Sequence, residues 1–183
     1  MNYRLPESLE VCGLEYEIRT DYRAALDVFA ALDDPELDSQ DRALALLVIM
    51  YPGFEDMPPE HWQAATDAAL VFLNGGSKDA PQQKRPRLVS WQQDFQYIVA
   101  PINKIVGADV RGMEHMHWWT FLSAYYEIGE CTFSQIVRIR ELRSRGKPLD
   151  KTDREWYLRN RHMVDFETKY TETENELLKK WGG

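Results

Sequence analysis

The side chains best suited to chemistry are Glu114, His115 and His117, which stand together just ahead of a run of aromatic residues. A metal ion needs its ligands on one side of an element. Two histidines two residues apart on a helix point about 200° apart, so this pair cannot share an ion as an i, i+4 pair does. Glu114 beside His115 could move a proton, but no serine or cysteine sits in a strand–turn–helix setting where that proton transfer would make a nucleophile. A histidine beside Trp118 reads instead as a packed, hydrogen-bonded residue. Asn74-Gly75-Gly76-Ser77 lacks the second spaced glycine and the Lys-Ser/Thr pair of a phosphate loop, so it reads as a helix stop. Cys12 and Cys131 are far apart with no short-spaced partner, which gives no support to a zinc site or a disulfide framework. The expectation is a non-enzymatic protein with no catalytic residue, no cofactor and no metal.

The aromatic run itself is the most informative feature. Trp118, Trp119, Phe121, Tyr125 and Tyr126 fall within nine positions. At a helical period Trp118, Phe121, Leu122 and Tyr125 make one stripe and Trp119 with Tyr126 a second, so a helix over Met113 to Ile128 is apolar most of the way round. Such a helix is the centre of a core or a surface for a partner.

Composition sets the frame. With 44% hydrophobic and 12% aromatic residues in 183, the chain has ample material for a core. The longest apolar run, Ala43 to Met50, is well short of the roughly 20 residues a bilayer demands, and the first twenty residues lack the basic-then-apolar order of a signal peptide. The cytosol is the expected location, with no membrane contact. A net charge of -8 favours solubility and opposes general attraction to nucleic acid.

Turn and cap signals then divide the chain. Leu9-Glu10-Val11 and Leu14 to Ile18 alternate apolar and polar about Cys12-Gly13, which predicts a hairpin with Gly13 supplying a positive φ. Thr20 and Asp21 can cap a helix to Leu32 carrying Leu26, Phe29 and Leu32 on one side. Asp38 can cap a second to Met50 or Tyr51, with Leu44, Leu47, Val48 and Tyr51 as its buried face. Met57-Pro58-Pro59 starts a third, which ends at Asn74-Gly75-Gly76. Residues 75–89, with Lys78, Lys84, Arg85 and Arg87 and little to bury, read as a basic flexible linker between blocks 1–74 and 90–183 that fold as one unit.

Beyond it, Ser90 caps a helix that Pro101 should bend or restart and Gly107 should end. After the aromatic helix, Thr132 is expected to cap a helix carrying Phe133, Ile136, Val137 and Ile139-Arg140. From Asp150 the spacing predicts one long C-terminal helix, reaching Trp181 at most, with Trp156, Met163, Tyr170 and Leu177 every seven residues and Phe166 beside them. Arg159, Thr173 and Lys180 at d-like positions make it a poor coiled coil on its own. The stripe therefore docks on the protein's own core or serves as a handle for another chain. The fold class expected is mainly α, with a short N-terminal β-hairpin.

The order of these elements is recognisable. Leu5-Pro6, Glu15-Tyr16-Glu17-Ile18, Thr20-Asp21-Tyr22-Arg23, Tyr51-Pro52, Leu73-Asn74-Gly75-Gly76, a basic gap, Asp94 to Ile98 and His117-Trp118-Trp119-Thr120-Phe121, followed by Thr132-Phe133-Ser134, together resemble the bacteriophage family named gene product fifteen. The resemblance covers roughly residues 4 to 165. Genes of that family lie among tail genes of phages and prophages of Gram-positive bacteria, just before the tape-measure gene, a place occupied in long-tailed phages by tail-assembly chaperones. The resemblance thus implies a chaperone in the host cytoplasm that binds the tape-measure protein, with the tail-tube protein and a second copy of the chain as further partners. On that reading Trp119, Tyr126, Trp156, Met163, Phe166, Tyr170 and Leu177 contribute to partner contacts, while Trp118, Leu122 and Tyr125 belong to the core. The alternative is a structural minor tail or connector protein of the virion, assembling through an edge strand.

Overall fold

The protein is described by a computed structural model covering residues 4–77 and 86–167. The architecture is mainly α, with eight α-helices and one two-stranded antiparallel hairpin among the described residues. Two compact units emerge: the first holds residues 4–77 together with His117–Trp119, the second residues 86–116 and 120–167.

The first unit opens with β1 (Ser8–Val11) and β2 (Leu14–Glu17), paired in register from Ser8 opposite Glu17 to Val11 opposite Leu14. Both turn residues have positive φ, Cys12 at 52° and Gly13 at 80°. A two-residue hairpin loop whose twist matches its strands requires that sign at both positions, and glycine accepts it without strain where cysteine does not. Helices α1 (Tyr22–Leu32), α2 (Ser39–Met50) and α3 (Trp62–Leu73) follow. Asp21 caps α1 by accepting from the Arg23 amide, and Asp38 caps α2 by accepting from the Gln40 and Asp41 amides. Those two amide bonds hold the Asp38 carboxyl below its ordinary range. Tyr22, Val28, Met50, Tyr51, Ala65 and Phe72 are buried in the core of this unit. The Tyr51 hydroxyl donates to the Ala65 carbonyl at 2.7 Å, and burial raises its pKa above the ordinary tyrosine value.

The buried face of α2 keeps Leu47 and Tyr51 of the expected set but not Leu44 and Val48. Leu46, Leu47 and Met50 point inward, whereas Leu44 and Val48 are 41% and 49% exposed. Residues 43–50 are apolar all round, so periodicity could not choose a face; the contacts with α1 and α3 did.

In the second unit, α4 (Trp91–Val106) is capped by Ser90, which accepts from the Gln93 amide, and ends at Gly107 with φ 81°. It does not restart at Pro101. The fully buried Ile98 and Ile102 sit on either side of the proline and carry the helix past the missing amide. Helix α5 (Trp118–Tyr126) is shorter than the expected span from Met113. The Trp118 amide donates to the Thr20 carbonyl at 2.7 Å, and His117 forms an isolated antiparallel bridge with Asp21, so the backbone just before Trp118 is extended. Helix α5 opens in the first unit and continues in the second.

Helix α6 (Thr132–Ser144) is not capped by Thr132, which is its first helical residue. Ser134 Oγ instead accepts from the Cys131 amide at 2.8 Å, reaching back one turn. The long C-terminal helix is likewise replaced, within the described residues, by α7 (Lys151–Arg159) and the single turn α8 (Arg161–Val164). Asn160 breaks the run: its amide donates to the Trp156 and Tyr157 carbonyls, and its side chain takes the Trp156 carbonyl again at 2.8 Å. At Asp165 the chain is extended, with φ -71° and ψ 134°. Trp156 and Met163 therefore lie on different helices, and Tyr170 and Leu177 fall outside the described residues.

Candidate partner-binding surfaces

The first unit carries an open groove of about 520 Å³ between α2 and α3. Its apolar part comes from Ala43, Leu44 and Leu47 on one side and Pro59 and Trp62 on the other, and Gln40, Asp41, Gln63 and Thr66 complete the lining. Trp62 is 37% exposed, with its indole N–H donating to the Met57 carbonyl and its ring 5.2 Å from Phe54. Asp41 is the one charged residue of the lining, and no lysine or arginine contributes. The groove thus has an apolar floor with a polar, weakly acidic edge.

The aromatic segment splits by position. His117 is buried, and both ring nitrogens are used: Nδ1 accepts from the Trp119 amide at 3.0 Å, leaving the proton on Nε2, which donates to the Pro6 carbonyl at 3.0 Å. The histidine thereby caps α5. Trp118 is fully buried, donating from its indole to the Leu73 carbonyl, and Trp119 does the same to the Phe72 carbonyl at 2.8 Å. The Trp119 ring is half-buried, stacked on Phe72 at 5.8 Å. A Cβ on Gly76 would stand 3.0 Å from that ring, so glycine permits the approach. The carbonyls of Phe72 and Leu73 at the end of α3 thus take indoles, while those of Leu70, Val71 and Phe72 accept from the Asn74, Gly76 and Gly75 amides.

In the second unit Tyr125 lies against Trp91 at 4.8 Å and Phe133 at 5.9 Å, and burial first, then the neighbouring Tyr126 and Asp94, pushes its pKa up to about 12. Tyr126 is 71% exposed. With Ile128, Phe133 and Val137 these two tyrosines line a shallower hollow of about 370 Å³, whose charged residues are Arg138 and Glu141.

Trp156, Met163 and Phe166 are half-buried. Phe166 and the Met163 carbonyl meet a charged centre that the spacing of apolar residues did not announce. Arg140 and Asp94 are both buried and form a two-pronged ion pair, Nη1 to Oδ2 at 2.6 Å and Nη2 to Oδ1 at 2.9 Å. The remaining donors of Arg140 reach the carbonyls of Val164 (2.7 Å), Leu88 (3.0 Å) and Met163 (2.9 Å), so all five N–H groups of the guanidinium are used. Phe166 covers it at 4.1 Å. Asp94 also accepts from the Ser90 amide at 2.9 Å. A second buried carboxylate, Asp153, accepts from Arg138 and from Gln135. Burial alone would raise the Asp165 carboxyl, but hydrogen bonds from Arg143, Arg161 and Tyr157 prevail and hold it below the usual range. Arg140 spends every donor on bonding chain segments together, which makes it a structural tie. The one signal for it was an arginine on the apolar side of α6, directly after Ile139.

No group of three or more His, Cys, Asp or Glu side chains is placed to hold a metal ion among the described residues, and no described helix is long and apolar enough to cross a membrane. The family model for the Bacteriophage Gp15 protein matches residues 1–166. This chain belongs to that bacteriophage family. Membership suggests a structural or morphogenesis protein of the phage. The match ends beside Phe166, so the Arg140 centre and both grooves lie inside the family's extent. Curated proteins and solved structures gave no match.

Proposed function

We propose that this Gp15-family protein is a non-enzymatic tail-assembly chaperone that holds the tape-measure protein in solution until the tail tube polymerises around it. Family membership over residues 1–166 carries the reading. The surface agrees with it. An elongated helical client prone to aggregation needs exposed apolar docking sites on a carrier that itself stays soluble. The groove at Leu44 and Trp62 and the hollow at Tyr126 are such sites, on a chain of net charge -8. Tyr126 with Trp119, and Trp156, Met163 and Phe166 near the end of the described chain, together with Tyr170 and Leu177, are the further candidate contacts. Tail-tube protein and a second copy of the chain are secondary partners.

Co-expression with the tape-measure protein, followed by affinity capture, tests this. Retention together with a rise in soluble tape measure is expected; no retention, with the tape measure still insoluble, would sink the proposal. The hairpin favours one alternative, a minor tail or connector protein of the virion, because its sheet has only two strands and so leaves an edge for another chain. Mass spectrometry of purified particles separates the two readings. A chaperone is absent from mature virions, whereas a structural part appears at fixed copy number.

A further inference from the structure

The net charge of -8 is not spread evenly along the chain. In the first unit, residues 4–77 carry fifteen Asp and Glu against four Arg and no Lys. In the second unit, residues 138–161 carry nine Lys and Arg against four Asp and Glu. The α2–α3 groove shares the sign of its unit. Asp41 is the only charge in its lining, Asp67 is held by the lining residue Gln63, and Asp38 caps α2 at the amides of Gln40 and Asp41. Arg42 is the one Lys or Arg on either helix, and it turns to the Asp34 carbonyl. The exposed apolar anchors Leu44 and Trp62 therefore stand among carboxylates.

Helix α7 has the complementary make-up. Its inward side is fixed by Asp153, which is buried and bonded to Arg138 and Gln135. Its outward side carries Leu158, 64% exposed, with Lys151 and Arg154 seven and four residues earlier and so on the same face. Arg159 flanks them, and Glu155 is the one carboxylate on that side. Lys151 and Arg154 form no ion pair with any described residue. A leucine left in water among cations matches an apolar groove left in water among carboxylates.

We propose that the α2–α3 groove of one copy of the chain takes α7 of a second copy, with Leu158 against Leu44 and Trp62 and Arg154 beside Asp41. Unlike surfaces meet, so each copy can give one and receive one. A nine-residue helix makes a small interface, which places the contact among weak, salt-sensitive associations. The contact needs no client and does not depend on the chaperone reading.

Sedimentation of the full chain without tape measure tests it. Association should weaken at least tenfold between ~20 and ~500 mM salt. Asp41→Lys and Arg154→Glu should each weaken it at least tenfold, and an equal mixture of the two variants should recover it, because the exchanged charges then face each other across copies. Leu158→Ser, at an exposed position, should also weaken it tenfold while melting as the parent does. A chain that stays monomeric would overturn the proposal and leave the groove to a client. Association that the variants do not change, or that mixing does not restore, would overturn it too. Should a charge variant lose its cooperative melt, Leu158→Ser decides, and undiminished association in that variant would overturn the proposal.

Discussion

Helix α2 turns leucine and valine toward solvent, while α6 turns an arginine inward. The first arrangement leaves apolar area exposed at Leu44 and Val48 that folding does not use. The second removes Arg140 and Asp94 from water, which is tolerable only because every donor of the guanidinium has an acceptor. The contrast separates two kinds of constraint. Side chains at the Arg140 centre are committed to holding residues 88 to 166 together, whereas those at the α2 groove are free to be committed to something else.

The sharpest way to break this comparison is Arg140→Met, which leaves Asp94 buried and uncompensated. We expect a loss of about 3–5 kcal/mol, read as a lowered denaturation midpoint. A change under 1 kcal/mol would mean that the pair is not the tie described. Next comes Trp119→Ser, which removes the ring stacked on Phe72 and one of the donors to the Phe72 carbonyl, the Gly75 amide remaining, and should cost about 2 kcal/mol. Tyr126→Ser, seven residues on, should shift thermal melting by no more than the equivalent of ~0.5 kcal/mol. Equal effects at the two positions would erase the distinction between anchored and exposed rings.

Acid should act through Asp165. Its folded pKa lies below the ordinary 3.8, so the stability it lends is present above that value and is lost as pH falls through the lowered folded value. Asp165→Asn should flatten the acid limb of a stability-versus-pH curve without changing its neutral plateau much beyond the loss of exposed ion pairs. The smallest effect on folding belongs to Leu44→Ser with Val48→Ser, about 0.5 kcal/mol or less. The same pair should weaken capture of tape measure at least tenfold, and undiminished capture would remove the groove from the binding surface.

How much of this could be read beforehand depended on how local the cause was. The caps at Asp21, Asp38 and Ser90, the Cys12-Gly13 turn and the stop at Asn74 to Gly76 are decided within four residues, and the spacing pointed to each. The α2 face was illegible because residues 43–50 are apolar on every side. The start of α5 depends on Thr20 and Pro6, about a hundred residues away, and the break at Asn160 on one side-chain hydrogen bond that a seven-residue stripe cannot register. Of the candidate contacts, the stripe that paired Trp119 with Tyr126 held only for Tyr126, which is exposed, whereas Trp119 is half-buried against Phe72; Trp118 is buried, as its own stripe required. The groove at Leu44 and Trp62 was invisible because a helix with surplus apolar residues does not say which of them it will spare.

Trp118 has a consequence for anyone dividing the gene. Its fully buried ring and indole donor complete the end of α3, yet it is encoded 45 codons after Leu73. A fragment stopping at residue 77 would display an empty slot where that ring belongs, and a fragment starting at residue 86 would carry the ring with no slot to fill. The 4–77 fragment should therefore be less stable than the same residues in the whole chain, read as a lowered denaturation midpoint.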